Sequence, residues 1–394
     1  MLYHVQGVRV YRYQKTVYKN NQVKIYFSIP KERCCCPVCG CEHIRIKETR
    51  KRKFFGVPYG LKQTLLVVKI PKIYCHHCNA IRQVHIPFAR PNKHYTRAFE
   101  HYVIELLRKM TVKDAADFLG VSWDLISEIE QHYLERHFAR PSLKGVQYIA
   151  IDEISSRKGR KFLTIVMNLE NGQVLYVGDG RHEDALTGFW KRLRRNRVNI
   201  KAVATDMSRS YTKAIRENIP DAVHVFDRFH IIKMFNEVIS KIRTALYGKI
   251  RDPKEKRALK GAKYILLKRP ENLDSSKGEP ERVQKALEAN EDLFTVYYLK
   301  EELHSIWEQE NLRAARGKLL DMIEYTISSS IPHLKQLGKT LRNHAEGILS
   351  WFLYPIGTGP LEGLNNKIKT IKRVAYGFRN TEYFKLKILA AHVS

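Results

Sequence analysis

Two short apolar runs in this chain end on a carboxylate. Tyr148, Ile149, Ala150 and Ile151 lead to Asp152, and the run Lys-Ala-Val-Ala-Thr over 201–205 leads to Asp206. Apolar runs of this length without polar alternation predict buried strands of a mixed or parallel sheet. Were the two strands parallel neighbours, their ends would lie roughly 5 Å apart, and both carboxylates would face one crevice at the carboxyl edge. Acidic groups that close repel one another, and a divalent cation between them relieves the repulsion. Glu153 is the rival of Asp152, but pleating sends adjacent side chains to opposite faces, so only one of the two enters such a site.

A second constellation is built from sulfur. All seven cysteines, Cys34, Cys35, Cys36, Cys39, Cys41, Cys75 and Cys78, fall within residues 34–78. Clustering of this kind in a reducing compartment points to metal and not to disulfides. Cys36 with Cys39 and Cys75 with Cys78 form two Cys-x-x-Cys knuckles, enough thiolates for a tetrahedral Zn²⁺. Gly40 permits the tight turn at the first knuckle. Cys34, Cys35 and Cys41 stay open as alternative ligands there, with Pro37 and Gly40 favouring Cys36 and Cys39. Reduced structural thiols or an iron-sulfur site are the other readings of the cluster.

These residues need elements to hold them. A chain of 394 residues exceeds one ordinary core and predicts two or three domains. Its 70 Lys and Arg against 40 Asp and Glu give a formal charge of +30, which favours a polyanion such as nucleic acid. The excess is patterned: residues 1–100 hold 20 basic against 4 acidic side chains, residues 101–140 hold 5 against 7. No apolar run approaches the ~20 residues of a membrane helix. The N-terminus carries no leader pattern, so a cytoplasmic protein is expected.

Over the first 33 residues, Val8, Val10, Tyr11 and Tyr13, then Val23, Ile25, Phe27 and Ile29, alternate like a small hairpin. Residues 61–70 supply further strand, so a zinc ribbon with basic hairpins is expected over 1–90. Lys47, Arg50, Lys51, Arg52 and Lys53, followed by Phe54 and Phe55, suit phosphate contact or a solvated face equally. Residues 91–140 read as a helix-turn-helix: small Ala115 and Ala116 at a helix crossing, a turn at Gly120, Ser122 as N-cap, and a second helix through Tyr133. Asp124, Glu128 and Glu130 on that second helix weigh against direct base reading.

Arg140-Pro141-Ser142 marks a boundary. After it come a strand ending at Asp152, a turn at Lys158-Gly159-Arg160, strands over 161–167 and 173–177, a helix from about 183, a strand over 201–205, a helix from 209 and a strand over 222–226. Three hairpin-linked strands followed by alternating helices and strands is the order of an RNase H-like fold, in which the first and fourth strands are parallel neighbours. Residues 228–345 show no strand, and a helical insertion over about 250–345, broken at 270–280, is expected. Pro360 suits a helix's first turn, which places Glu362 near that helix's start, with Asn366 one turn on and Lys369 on the same side. Taken alone, an acid there is a dipole-compensating surface group. Asp227 and His230 read as an N-cap and a packed histidine, or as supports of the site. Trp351, Phe352 and Tyr354 read as core, or as a stacking surface for a displaced base.

The motifs Ile-Asp-Glu-Ile-Ser at 151–155, Thr-Asp-Met-Ser at 205–208, Phe-Asp-Arg-Phe-His at 226–230 and Glu-Gly-Leu-Asn-Asn-Lys-Ile-Lys at 362–369 resemble those of the ISL-three family of bacterial insertion-sequence transposases. The closing Lys-Arg-Val-Ala-Tyr-Gly-Phe-Arg-Asn at 372–380 fits as well. The resemblance covers almost the whole chain, least over residues 1–33, and the first knuckle carries extra cysteines. It implies a multidomain α/β protein: a β-rich zinc ribbon, a helix-turn-helix, and an RNase H-like catalytic core over 141–394 whose acidic triad is Asp152, Asp206 and Glu362.

Three carboxylates of this kind can hold two Mg²⁺ about 4 Å apart, with Mn²⁺ as a substitute, Asp152 bridging and Asp206 and Glu362 each completing one shell. The implied activity is nicking at the ends of an element and strand transfer by the freed 3′-hydroxyls. The implied partners are double-stranded DNA and at least one more copy of the chain, with a place on the bacterial nucleoid. A non-catalytic DNA-binding protein derived from a transposase, and a nuclease without strand transfer, are the rival readings.

Overall fold

The computed structural model describes residues 2–156, 161–288 and 290–391. The turn expected at Lys158-Gly159-Arg160 lies outside the described residues. The chain divides into two compact units, one of residues 1–139 with 374–378, the other of 140–373 with 379–394. The architecture is mixed α/β and multidomain.

In the first unit a short helix α1 (Leu2–Gln6) precedes the strands β1 (Arg12–Lys19), β2 (Gln22–Ser28), β3 (Ile44–Tyr59), β4 (Lys62–Cys75) and β5 (Ala80–Gln83). The sheet order is β1-β2-β4-β3, with β5 pairing with β4. β1 and β2 form the antiparallel hairpin expected within the first 33 residues, but its first strand begins at Arg12, so of Val8, Val10, Tyr11 and Tyr13 only Tyr13 lies in it, and β2 and β4 run parallel. Val23, Ile25 and Phe27 are buried on one face of β2 with polar neighbours between them. They join Phe54, Leu66 and Val68 in one core, and each fully buried side chain of this size stabilises by about 1.5–3 kcal/mol.

The basic run lies on the outer part of β3. Residues 45–51 there are all exposed, so no apolar alternation announces a strand of 16 residues. Gln6 holds α1 to that strand, its side-chain amide donating to Val57 O at 2.8 Å and accepting from Val57 N at 3.0 Å.

Three helices follow, α2 (Arg97–Leu107), α3 (Val112–Leu119) and α4 (Trp123–Phe138). α3 opens on a capping box in which Thr111 and Asp114 satisfy each other's backbone N–H. It stops at Gly120, whose φ of +62° suits a residue with no Cβ. Ser122 caps α4 by accepting from Leu125 N, and α4 continues five residues beyond the expected Tyr133. Ala115 and Ala116 are buried where α3 meets its neighbours, against Phe99, Ile126 and Ile129.

In the second unit the strands are β6 (Tyr148–Ser155), β7 (Phe162–Asn168), β8 (Val174–Asp179), β9 (Ala202–Thr205) and β10 (Val223–Phe226), in sheet order β10-β9-β6-β7-β8. β6, β7 and β8 are joined antiparallel, and β9 lies parallel to both β6 and β10. The first and fourth strands are therefore neighbours. α5 (Thr187–Asn196) begins after a short 3-10 turn over Glu183–Leu186, and α6 (Arg209–Asn218) follows β9. Phe189, Trp190 and Tyr211 on these helices pack against Ile149, Ile151 and Val203 of the sheet.

Beyond β10 come α7 (Arg228–Lys249), α8 (Pro253–Gly261), α9 (Glu279–Glu288), α10 (Glu291–Ile306), α11 (Leu312–Ser328), α12 (Pro332–Leu349), α13 (Gly359–Val374) and α14 (Thr381–Leu389). Among the described residues no strand interrupts 228–345, and short 3-10 turns occupy 265–277. A buried ammonium anchors that polar break: Lys300 Nζ donates to Lys268 O at 2.8 Å and Leu266 O at 3.3 Å. The core of the helices is continuous with the sheet through Phe226. A Cβ added at Gly347 on α12 would collide with the Phe226 ring. No helix among the described residues is long and apolar enough to cross a membrane.

Candidate active site and candidate metal centre

The two knuckles meet in the first unit. Cys36, Cys39, Cys75 and Cys78 bring their sulfurs within 4.8 Å of one another, with 3.9 Å from Cys36 to Cys78 and 3.5 Å from Cys39 to Cys75. The turn at the first knuckle is closed by Gly40 N donating to Cys36 O, with φ of +72° at Gly40. Backbone N–H groups of Cys39 and Val38 lower the Cys36 thiol to about 6, whereas Cys78, bonded to Cys39 and burdened by desolvation, is pushed up to about 12.

The alternative ligands fall outside this group. Cys34 is buried against Ile73 and Val84 and donates to Pro30 O. Cys35 is exposed, and Cys41 faces His43 O. The group could hold a metal ion, and four thiols is a donor set that suits Zn²⁺.

In the second unit, β6 and β9 pair Tyr148 with Ala202, Ile149 with Val203 and Ala150 with Ala204. β6 does not end at Asp152 as expected but runs on to Ser155, held by its pairing with β7. Extended two residues past its last pair, the β6–β9 register sets Asp152 level with Asp206, which follows the end of β9. Burial raises the Asp152 carboxyl above the usual carboxylate range, and the Asp206 charge adds to the rise. Hydrogen bonds to the charged form oppose it: Glu153 N donates to Asp152 Oδ1 at 2.7 Å, and Asn365 Nδ2 on α13 donates to Oδ2 at 2.8 Å. Asp206 Oδ1 accepts from Ser208 N at 2.9 Å.

Glu153 is engaged from α6: its carboxylate accepts from Tyr211 OH at 3.0 Å, and burial raises it, with the charges of Asp206 and Asp152 adding to the rise.

Glu362 lies in the first turn of α13 and is exposed. Among the described residues the four cysteines are the one set of three or more Cys, His, Asp or Glu side chains gathered within 4.8 Å, so Asp152, Asp206 and Glu362 do not form a second. The helix carrying Glu362 is nevertheless tied to Asp152 through Asn365, one turn on. Asn365 is 8 % exposed, and its Oδ1 has no partner among the described residues.

Asp227 takes the N-cap position of α7, but its side chain caps nothing there. Instead its Oδ2 accepts from Thr358 Oγ1 at 2.6 Å and from His230 Nδ1 at 3.2 Å. Burial pushes the Asp227 carboxyl up, and the bonds from His230 and Thr358 outweigh it and hold the group below its usual range. His230 is raised by the Asp227 bond, then by the charges of Asp206 and Asp152, which it also faces. The pair therefore ties α7 to Thr358, just ahead of α13, and sets the His230 imidazole, whose protonated form these carboxylates favour, beside the two aspartates. A further support is His224, whose Nε2 lies 2.7 Å from Thr205 Oγ1, next to Asp206.

Residues 149–388 match a family model described as a transposase, and residues 84–134 match the helix-turn-helix domain of transposase family ISL3. Over 389 residues, 98 % of this chain and 95 % of the relative, the sequence is 30 % identical to the transposase for insertion sequence element IS1001 of Bordetella parapertussis. The chain belongs to the ISL3 family of transposases. A second relative, the transposase for insertion sequence element IS1557 of Mycobacterium tuberculosis, is 25 % identical over 361 residues, covering 84 % of this chain and 79 % of its own. Among solved structures the Drosophila P element transposase strand transfer complex aligns over 66 % of this chain and 80 % of its own, with 13 % identity and a TM-score of 0.33, too distant to carry any argument.

Sequence reasoning about this transposase passed over three side chains. Asn365 stands three residues after Glu362, the spacing that puts two residues on one helical face, a signal shared by Asn366 and Lys369. Thr358 and His224 offer no pattern of their own, since their roles come from partners 131 and 19 residues away.

Proposed function

We propose that this transposase frees 3′-hydroxyls at the ends of its insertion sequence and joins them to target DNA, with Asp152, Asp206 and Glu362 as the catalytic residues. The observation that carries the reading is the placement of Asp152 beside Asp206 at the edge of two parallel strands, with Asn365 tying the helix of Glu362 to Asp152. The strand order β10-β9-β6-β7-β8, antiparallel at one side and parallel at the other, supports an RNase H-like core.

The donor set fits hard divalent cations, Mg²⁺ or in its place Mn²⁺. It consists of carboxylate oxygens and, at Asn365 Oδ1, a buried amide oxygen lacking a partner among the described residues. Bound there, two such ions would supply Lewis acidity to the scissile phosphate and favour the anionic form of the attacking oxygen. Asp152, held by Glu153 N and Asn365, keeps both carboxylate oxygens in a fixed orientation. Asp206 would join it from just past β9, and Glu362, exposed in the first turn of α13, would complete the set.

In cleavage a water oxygen bonds to phosphorus while the bond to the 3′-oxygen breaks, leaving a 3′-hydroxyl and a 5′-phosphate. In strand transfer that hydroxyl attacks a target phosphate and displaces the target's own 3′-oxygen. A protonated His230 beside the aspartates would limit their mutual repulsion.

Residues 1–90 serve in this reading as a ribbon held by Zn²⁺ on Cys36, Cys39, Cys75 and Cys78. Residues 91–140 bind DNA as a helix-turn-helix, and 141–394 form the catalytic domain with a helical insertion over about 250–345. The exposed basic stretch 45–51 suits backbone phosphates. Bringing two ends together calls for at least two copies on the DNA.

Cleavage and joining of a labelled duplex carrying the element's end, with Mg²⁺, test the reading against Asp206→Asn. Nicking and joined products lost in the variant, with end binding retained, are expected. Nicking without joining would select a nuclease, and binding without cutting by either protein would select a DNA-binding protein alone.

A further inference from the structure

A cavity of about 530 Å³ opens where α7, α10 and the start of α13 converge, within the range of about 300–1,000 Å³ common to small-ligand sites. Its walls include Arg228, Arg269, Trp307 and Trp351, and its rim includes Gly359 and Pro360 in the first turn of α13. The Arg228 guanidinium lies 4.7 Å from the Trp351 ring centre and 5.9 Å from that of Trp307.

The two arginines differ. Arg269 is engaged by Glu271 at 2.8 Å and Glu308 at 3.7 Å. Arg228 is exposed and, among the described residues, contacts indole rings and no carboxylate. Trp307 is 7 % exposed, and its Nε1 donor has no partner among the described residues. A partnerless buried donor is destabilising until an acceptor arrives.

Indole faces, a guanidinium without a counter-ion and a spare N–H donor match the three parts of a nucleotide: a base to stack, a phosphate to neutralise and a ring acceptor to bond. The cavity has room for one nucleotide and not for a duplex. Its rim also reaches Asp227, which holds both His230 and Thr358. A strand lying along Asp152 and Asp206 therefore passes close to it.

We infer that this cavity receives a single unpaired nucleotide of the DNA strand end, stacked on Trp351 with its phosphate on Arg228. The inference rests on the proposed action at DNA ends and names the feature of the end that is recognised.

The test is binding, measured by fluorescence anisotropy without added divalent cation so that cleavage does not contribute. An element-end duplex whose last base pair is mismatched is compared with the fully paired duplex. The wild type is expected to bind the mismatched end about 10-fold tighter, the scale of one stacked base. Trp351→Ala and Arg228→Ala should each lose that preference while binding the paired duplex as the wild type does, and Trp351→Phe should restore most of it. A preference that survives both alanine variants overturns the inference. So does an equal loss on paired and mismatched duplexes by variants with wild-type melting curves.

Deoxyadenosine monophosphate is the second probe. Displacement of the mismatched end down to the affinity of the paired one is expected. Trp351-dependent binding of the mononucleotide with no preference for mismatched ends would make the cavity a free-nucleotide site and refute the strand assignment. Retained cleavage by Asp206→Asn would refute the catalytic assignment and leave this binding preference standing, so the two fail separately.

Discussion

The cysteine centre and the carboxylate centre assemble by different means. Each cysteine knuckle is closed by its own turn, and β3 with β4 brings the two turns together, so four sulfurs already stand within 4.8 Å. The carboxylates come from β6, β9 and the first turn of α13, and the third stays exposed and apart. Neutral thiols can crowd together, whereas like charges resist it in proportion to their burial. A structural metal site can therefore be shaped by the chain, while a site for phosphate chemistry keeps part of its charge in reserve.

The largest effect is expected on the sulfur side. Cys75→Ser should abolish stoichiometric zinc and melt the β3–β4 ribbon, because structural Zn²⁺ contributes on the order of 10 kcal/mol to such a fold. Zinc analysis with limited proteolysis would show it. Cys35→Ser, at an exposed thiol, should keep its zinc, and loss there would break the assignment of the four ligands. On the carboxylate side, Asp152→Asn should lower strand cleavage by about 10³-fold or more, several kcal/mol of lost stabilisation, with the melting temperature little changed.

Asn365→Ala sharpens the contrast, since it removes a positioning contact and spares every carboxylate. A loss of about 10–100-fold is expected. The Asp152 carboxyl, already raised by burial, would rise further without that donor, so the rising limb of the pH–rate profile should move to higher pH. An unmoved limb would separate Asn365 from Asp152.

The Asp227–His230 pair gives a smaller effect with a defined pH window. His230 is raised in the folded state, so its contribution is full below about 6.5 and is lost as pH climbs through the raised value. Asp227 is lowered, so its contribution is full above about 3.9 and is lost as pH falls through the lowered value. The stability gap between the wild type and His230→Gln should be widest between about pH 4 and 6.5, roughly 1–3 kcal/mol, and narrow above. A gap constant with pH would mean packing and not charge. Smallest of all, Thr111→Ala should cost about 1 kcal/mol by thermal melt, the worth of one helix cap, whatever happens at either centre.

The features legible in the sequence were those whose cause is local. Two Cys-x-x-Cys turns, the Ala115–Ser122 stretch with Gly120 at its turn, and apolar runs ending on Asp152 and Asp206 each carry their geometry within a few residues. The outer half of β3 was missed because its strand is held by pairing with β4 while its side chains remain in water. α1 was missed because Gln6 works through Val57, 51 residues on. The N-cap expected of Asp227 gave way to Thr358, since a bond across the fold satisfied the carboxylate better than its own helix. The exposure of Glu362 is what a first-turn acid compensating the helix dipole predicts.

The bond from Asn365 to Asp152 joins residues 213 apart in the chain. At roughly 5–20 residues per second of synthesis, Asp152 leaves the ribosome on the order of 10–40 s before the side chain that orients it. Under the proposed function, a nascent chain would thus fold its cysteine ribbon and helix-turn-helix, and find DNA with them, well before it could cut. Molecules truncated anywhere ahead of α13 would then occupy element ends without cleaving them, and so act as competitors of the finished protein.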